Sequence, residues 1–167
     1  MDDFEDPATS ATYDDGDPAD IPVHRAVLDP VRAVLAAAGF YAYGTIDERG
    51  RWTIAADDEA GHVDVRVGQD GFGVEVWGAS PGLYADEEND FRRRALERLV
   101  RMTLPSVNRG MLAPNQQALW DDTEGGIQVR IASELPFTRM NDIGAFAREK
   151  LEELQETLAF VESQVTS

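Results

Sequence analysis

Between residues 40 and 79 the apolar positions recur at every second residue, the period of a strand with one buried face. Trp52, Ile54 and Ala56 alternate with Thr53 and Ala55. Val63, Val65 and Val67 alternate with Asp64 and Arg66, and Phe72, Val74 and Val76 with Gly73 and Glu75. The separators 47–50, 57–61 and 68–71 are rich in Asp, Glu and Gly, the residues of tight turns. Segments this close leave no room for crossover helices, so they predict an antiparallel meander, apolar on one face and polar on the other. The segment 40–46 is compatible with a short leading strand.

Elsewhere the period lengthens to that of a helix. Asp29 and Pro30 read as an N-cap followed by a first helical residue. Val31, Val34, Leu35 and Ala38 then share a face, and Gly39 supplies the stop. Val23, Val27 and Leu28 suit a preceding turn. A second helix is predicted over about 86–103. Asp86, Glu87, Glu88 and Asp90 sit at its positive end, and Phe91, Ala95, Leu96, Leu99, Val100 and Thr103 form its buried face. A connection from Pro105 to Pro114 leads to a hairpin of roughly 117–122 and 126–134, and a last helix runs from about Asn141 to Gln164. The fold class that follows is α+β, an antiparallel sheet in the order α-β-β-β-α-β-β-α with its helices on one face.

Composition adds a boundary and several exclusions. The 167 residues carry a formal charge of −17 and no cysteine, which removes thiolate chemistry and disulfides. Residues 1–20 hold eight acids and no base, leaving 24 acids against 15 bases. With almost no apolar content they predict a disordered acidic leader, and 21–167 a single domain. The long-range field of such a chain repels nucleic acid and anionic membranes and favours a basic protein partner. With no apolar run long enough to span a bilayer and an acidic start, cytoplasmic residence is the expectation.

Few residues suggest chemistry. The stretch 120–131, WDDTEGGIQVRI, places three carboxylates and two glycines before an alternating run. Counted from Asp121, the fifth position is Gly125 and the twelfth Ala132, so the register of a calcium-binding loop fails. A phosphate loop leads into a helix and carries a lysine, whereas Gly125-Gly126 leads into a strand. A hairpin turn is the reading that remains. Gly68-Gln-Asp-Gly-Phe-Gly73 likewise lies between strands. His24 and His62 are far apart and fit surface positions better than a zinc site, and no G-x-S-x-G is present. No catalytic residue, metal ligand or cofactor is expected.

Arg92, Arg93, Arg94, Arg98 and Arg101 form the one basic cluster. Glu88–Arg92, Asp90–Arg94 and Glu97–Arg101 are spaced as i,i+4 pairs, the arrangement of a solvated helix, with an anion-binding stripe as the alternative. On the last helix Ala147, Leu151, Leu154, Leu158, Val161 and Val165 make a narrow seam, packed either on the chain's own sheet or against a second copy. Trp77 falls on the polar side of its strand with Glu75. A tryptophan there suits a partner contact or coverage by a loop or the N-terminal segment.

The element order resembles the type III secretion chaperone-like fold, and in particular the YbjN family of bacterial proteins. The residues that carry the resemblance are Leu35-Ala-Ala-Ala-Gly39, Gly50-Arg-Trp-Thr-Ile54, Asn108-Arg-Gly-Met-Leu112, and Gly126-Ile-Gln-Val-Arg-Ile131 before Glu134-Leu-Pro136, with the terminal helix. The acidic leader and the strand at 40–46 depart from that pattern. The resemblance implies a non-enzymatic module, often dimeric, whose sheet or flanking helices hold a segment of another protein. The expected function is therefore protein binding of chaperone or adaptor type, as a homodimer, through Trp77, Glu75, Leu151, Leu154, Leu158 and Val161. Two alternatives stand beside it: an acidic regulator acting through its tail on a basic partner, and an enzyme whose site gathers His62 or His24 with acids and arginine.

Overall fold

A computed structural model describes residues 16–80, 83–123 and 125–166. The chain runs α1 (Ile21–Ala37), β1 (Tyr41–Ile46), β2 (Trp52–Asp58), β3 (Gly61–Val67), β4 (Gly71–Ser80), α2 (Asp90–Gly110), β5 (Gln116–Asp121), β6 (Gly126–Pro136) and α3 (Ile143–Thr166). The strands form one six-stranded antiparallel sheet in the order β1-β2-β3-β4-β6-β5, and all three helices pack on one of its faces. The α+β class, the meander, the late hairpin and the one-sided helices are as the periodicity predicts. The leading strand at 41–46 is present as an edge strand.

Two helix boundaries differ from expectation, both at prolines. Helix α1 begins at Ile21, eight residues before Asp29, and Pro30 lies inside it. An internal proline removes one backbone hydrogen bond and crowds the preceding turn. Leu28, Val31 and Leu35 on either side are fully buried against the sheet, which holds the helix through that defect. Helix α2 likewise continues through Pro105 to Gly110, and it starts later, with Asn89 as N-cap accepting from the Arg92 N–H at 3.0 Å. Its buried residues are Val100, Leu104 and Val107. Of the expected buried face Val100 is buried and Leu96 half-buried, but the register turns Phe91 and Leu99 outward: Phe91 is 83% exposed and Leu99 59%.

The acidic leader expected over 1–20 lies outside the described residues as far as Asp15. Gly16–Asp20 belong to the folded domain. The Gly16 N–H donates to the Arg49 carbonyl at 2.7 Å, and Asp17 caps a short 3-10 turn over Pro18–Asp20.

The hydrophobic core lies between sheet and helices. Ile54, Ala56, Val63, Val65, Val74, Val76, Ile127, Val129 and Ile131 line the sheet side, and Leu28, Leu35, Leu104, Leu151 and Leu154 the helix side. Gly61, at φ 153°, closes the β2–β3 turn where a Cβ would come within 2.8 Å of the Leu154 side chain. The seam of α3 therefore seats directly on this turn. Gly125, at φ 69°, closes the β5–β6 hairpin in a conformation other residues rarely adopt. At the β5 edge, Asn108 of α2 donates to the Ala118 carbonyl and accepts from its N–H, each at 2.8 Å, satisfying backbone groups that an edge strand leaves open.

Candidate functional site: the open sheet face

Strand alternation sends the residues between the core positions to the opposite face, which no described helix covers. The register sets Asp57, His62, Trp77 and Arg130 side by side across β2, β3, β4 and β6. The neighbouring row holds Tyr43, Ala55, Asp64 and Glu75. Ala55 is only 2% exposed, because its cross-strand neighbours Tyr43 and Asp64 flank it. Arg66 follows two residues after Asp64 on the same side.

His62 is the hub of this face. Its Nδ1 lies 2.6 Å from Asp57 Oδ1 and its Nε2 2.8 Å from Asp64 Oδ1. Two carboxylates are acceptors only, so the ring that satisfies both is the doubly protonated imidazolium. Burial works against that charge, but the hydrogen bonds to Asp64 and Asp57 and the charges of both outweigh it and hold the pKa above the ordinary 6.5. The ring also sits 4.9 Å from that of Trp77 at 42°. Trp77 carries the Arg130 guanidinium 5.3 Å above it. The Tyr43 hydroxyl is pushed above its usual pKa by burial and then by the charges of Asp57 and Asp64, so it stays neutral.

The charges continue outward as a connected set. Arg66 reaches Asp47 at 2.8 Å, Asp64 at 3.4 Å and Glu75 at 3.5 Å. Asp47 also takes Arg51 at 2.9 Å, and Glu75 lies 3.7 Å from Arg130. Asp47 is partly buried, which opposes its charge. The Arg51 and Arg49 backbone N–H groups and the Arg51 and Arg66 charges nevertheless hold its pKa below the usual carboxylate value. Beside this set lies a concavity of about 650 Å³ bordered by Asp47, Arg66, Glu75, Leu119 and Arg130. Among the described residues no group of three or more His, Asp or Glu is arranged to hold a metal ion. Asp57 and Asp64 each place one oxygen, Oδ1, on the ring of His62.

The expected site residues separate into two sets. Trp77 and Glu75 stand on the open face, as their strand position predicts. Leu151, Leu154, Leu158 and Val161 do not form a surface: they are between 0% and 8% exposed and lie in the core beneath the sheet. The seam is satisfied by the chain's own strands, so a homodimer would have to use another surface. His62 is not the surface histidine its isolation in sequence suggests, since only 17% of its side chain is exposed. His24 borders a second concavity of about 430 Å³ with Asp17, Asp20 and Arg51.

On α2 the three expected i,i+4 pairs are absent. Arg92 pairs with Glu87 at 3.3 Å, Arg93 with Asp90 at 2.9 Å and Arg101 with Asp122 at 3.4 Å. Arg94 and Arg98 have no ion-pair or hydrogen-bond partner among the described residues. No described helix is long and apolar enough to cross a membrane. Comparison with protein-family models, curated proteins and solved structures finds no match for the chain.

Proposed function

We infer that the chain is a protein-binding module of chaperone or adaptor type, in keeping with its resemblance to the YbjN family, and that it holds its partner on the open sheet face. The observation that carries this reading is Trp77, placed mid-sheet with Arg130 over its ring and no described helix covering it. Tryptophan and arginine are the residue types that dominate binding energy at protein interfaces. The ion pairs around them fix their rotamers in advance, which lowers the conformational entropy lost on binding. Capture from the native host with the tagged chain, compared with Trp77→Ala, tests it. A protein retained in stoichiometric amount and depleted at least about tenfold by the substitution is expected. If nothing retained depends on Trp77, the reading fails.

One observation favours a second reading, an enzyme built on His62, because the ring is gathered with Asp57, Asp64, Tyr43 and nearby Arg66 rather than isolated. The geometry suits a clasp better than a general base. A base needs a free ring nitrogen facing substrate, and both nitrogens of His62 are engaged.

A further inference from the structure

Helix α2 has a second apolar face. Phe91, Ala95, Leu99 and Met102 follow one another at helical steps of four, four and three, on the side opposite Val100, Leu104 and Val107. Phe91 is 83% exposed, Leu99 59% and Met102 69%. Arg94 and Arg98 flank this stripe, and both lack a charged partner among the described residues although the chain as a whole carries −17. An apolar line bordered by unpaired guanidinium groups fits a segment with an aromatic residue set among carboxylates.

We propose that the occupant is the chain's own N-terminus, residues 2–6, Asp-Asp-Phe-Glu-Asp. Four acids surround Phe4 there, so apolar and ionic complementarity with Phe91, Leu99, Arg94 and Arg98 arise together. A foreign acidic segment approaches against the long-range repulsion of the whole chain. The tethered leader does not start from dilute solution, because covalent attachment supplies an effective concentration in the millimolar range. A second copy is disfavoured as occupant: antiparallel pairing of two stripes about their midpoint brings the Arg94 and Arg98 groups of both copies together, on chains that already repel.

Reach is sufficient. Gly16 is held at the β1–β2 turn through its bond to Arg49. Six strands spaced about 4.8 Å apart put the β5 edge, where α2 packs, roughly 25 Å away. Residues 4–15 extend to about 40 Å.

The test uses the full chain. In one variant the leader is neutralised by Asp2→Asn, Asp3→Asn, Phe4→Ser, Glu5→Gln and Asp6→Asn. Amide exchange over 91–102 is expected to quicken several-fold relative to the native chain. A fluorescent peptide of residues 1–15 is expected to bind this variant, by anisotropy, and to lose at least about tenfold in affinity (~1.4 kcal/mol) when Arg94→Glu and Arg98→Glu are added. Arg139→Glu, a single such reversal away from α2, should leave binding intact. Both results are required. Unchanged exchange, or binding indifferent to the α2 reversals, overturns the proposal. Protection of 91–102 that rises with chain concentration overturns it equally, by assigning the stripe to a second copy.

Discussion

Strand β3 shows two kinds of stability on one backbone. Val63 and Val65 point into the helix layer and are fully buried, while His62, Asp64 and Arg66 point the other way into a lattice of ion pairs. The helix side draws on apolar burial, which is non-directional, roughly proportional to area, and indifferent to pH and salt over the ordinary range. The open side draws on directional contacts between charges that lose their value when one member changes protonation. The two sides should therefore respond to substitution with different magnitudes and different dependence on solution conditions.

The largest response belongs to the helix side. Leu154 is fully buried, and its Cδ2 stands where a Cβ on Gly61 would clash. Leu154→Ala is expected to cost about 2–5 kcal/mol, the range for leucine truncation in a packed interior. Urea denaturation should give the same loss at pH 6 and pH 8.5. It should also give a destabilised chain rather than a change in oligomeric state, since this part of α3 faces its own sheet. A dissociating dimer that stays folded would put the seam back at an interface.

How much of this was legible in the sequence follows from the range of each interaction. The meander and the late hairpin are local: period-2 runs and short turns fix them, and the structure repeats them. Pro30 and Pro105 are boundary signals by their local chemistry alone, whereas buried leucines and valines on both sides carry each helix through. Half of the His62 clasp was in principle visible, since His62 and Asp64 are two apart on one strand and must share a face. Asp57 joins them only through the β2–β3 register, which a reading of 57–61 as a turn leaves open. Arg130 could not be placed at all. It reaches Trp77 because β6 inserts between β4 and β5, a pairing between strands separated by the whole of α2. The outward stripe of α2 was hidden for a related reason: Leu104 and Val107, beyond the predicted helix end, decide which side is buried.

On the open face the clasp supplies the next largest effect, and its sign is set by the raised pKa of His62. A group whose folded pKa exceeds its unfolded value contributes fully below the unfolded value, near 6.5, and loses that contribution as pH climbs through the folded value. His62→Gln should thus cost about 1.5–3 kcal/mol at pH 6, the range for hydrogen bonds to charged groups. The gap to the native chain should shrink as pH rises above 6.5 and the native ring gives up its proton. Asp57, Asp64, neutral Tyr43 and Trp77 are the groups facing the ring, and Tyr43 does not ionise in that window. A gap that is flat or widens with pH would mean that His62 acts by packing alone, and the contrast between the two sides would collapse.

Arg130 marks the weak end of the same face. Its guanidinium lies 5.3 Å from the Trp77 ring and 3.7 Å from Glu75, and about a third of its side chain is exposed. At such a site a cation–π contact contributes about 0.5–1 kcal/mol and an ion pair about 0–1 kcal/mol. Arg130→Ala is therefore expected to destabilise by roughly 1 kcal/mol or less in dilute buffer. Raising the salt toward 1 M shortens the screening length from about 10 Å to about 3 Å, which should remove most of the Glu75 share and leave the stacked contact with Trp77. A loss near that of Leu154→Ala would mean that the ion-pair lattice works as a single cooperative unit. A loss of nothing would mean that Trp77 holds its position without Arg130, supported by His62 alone.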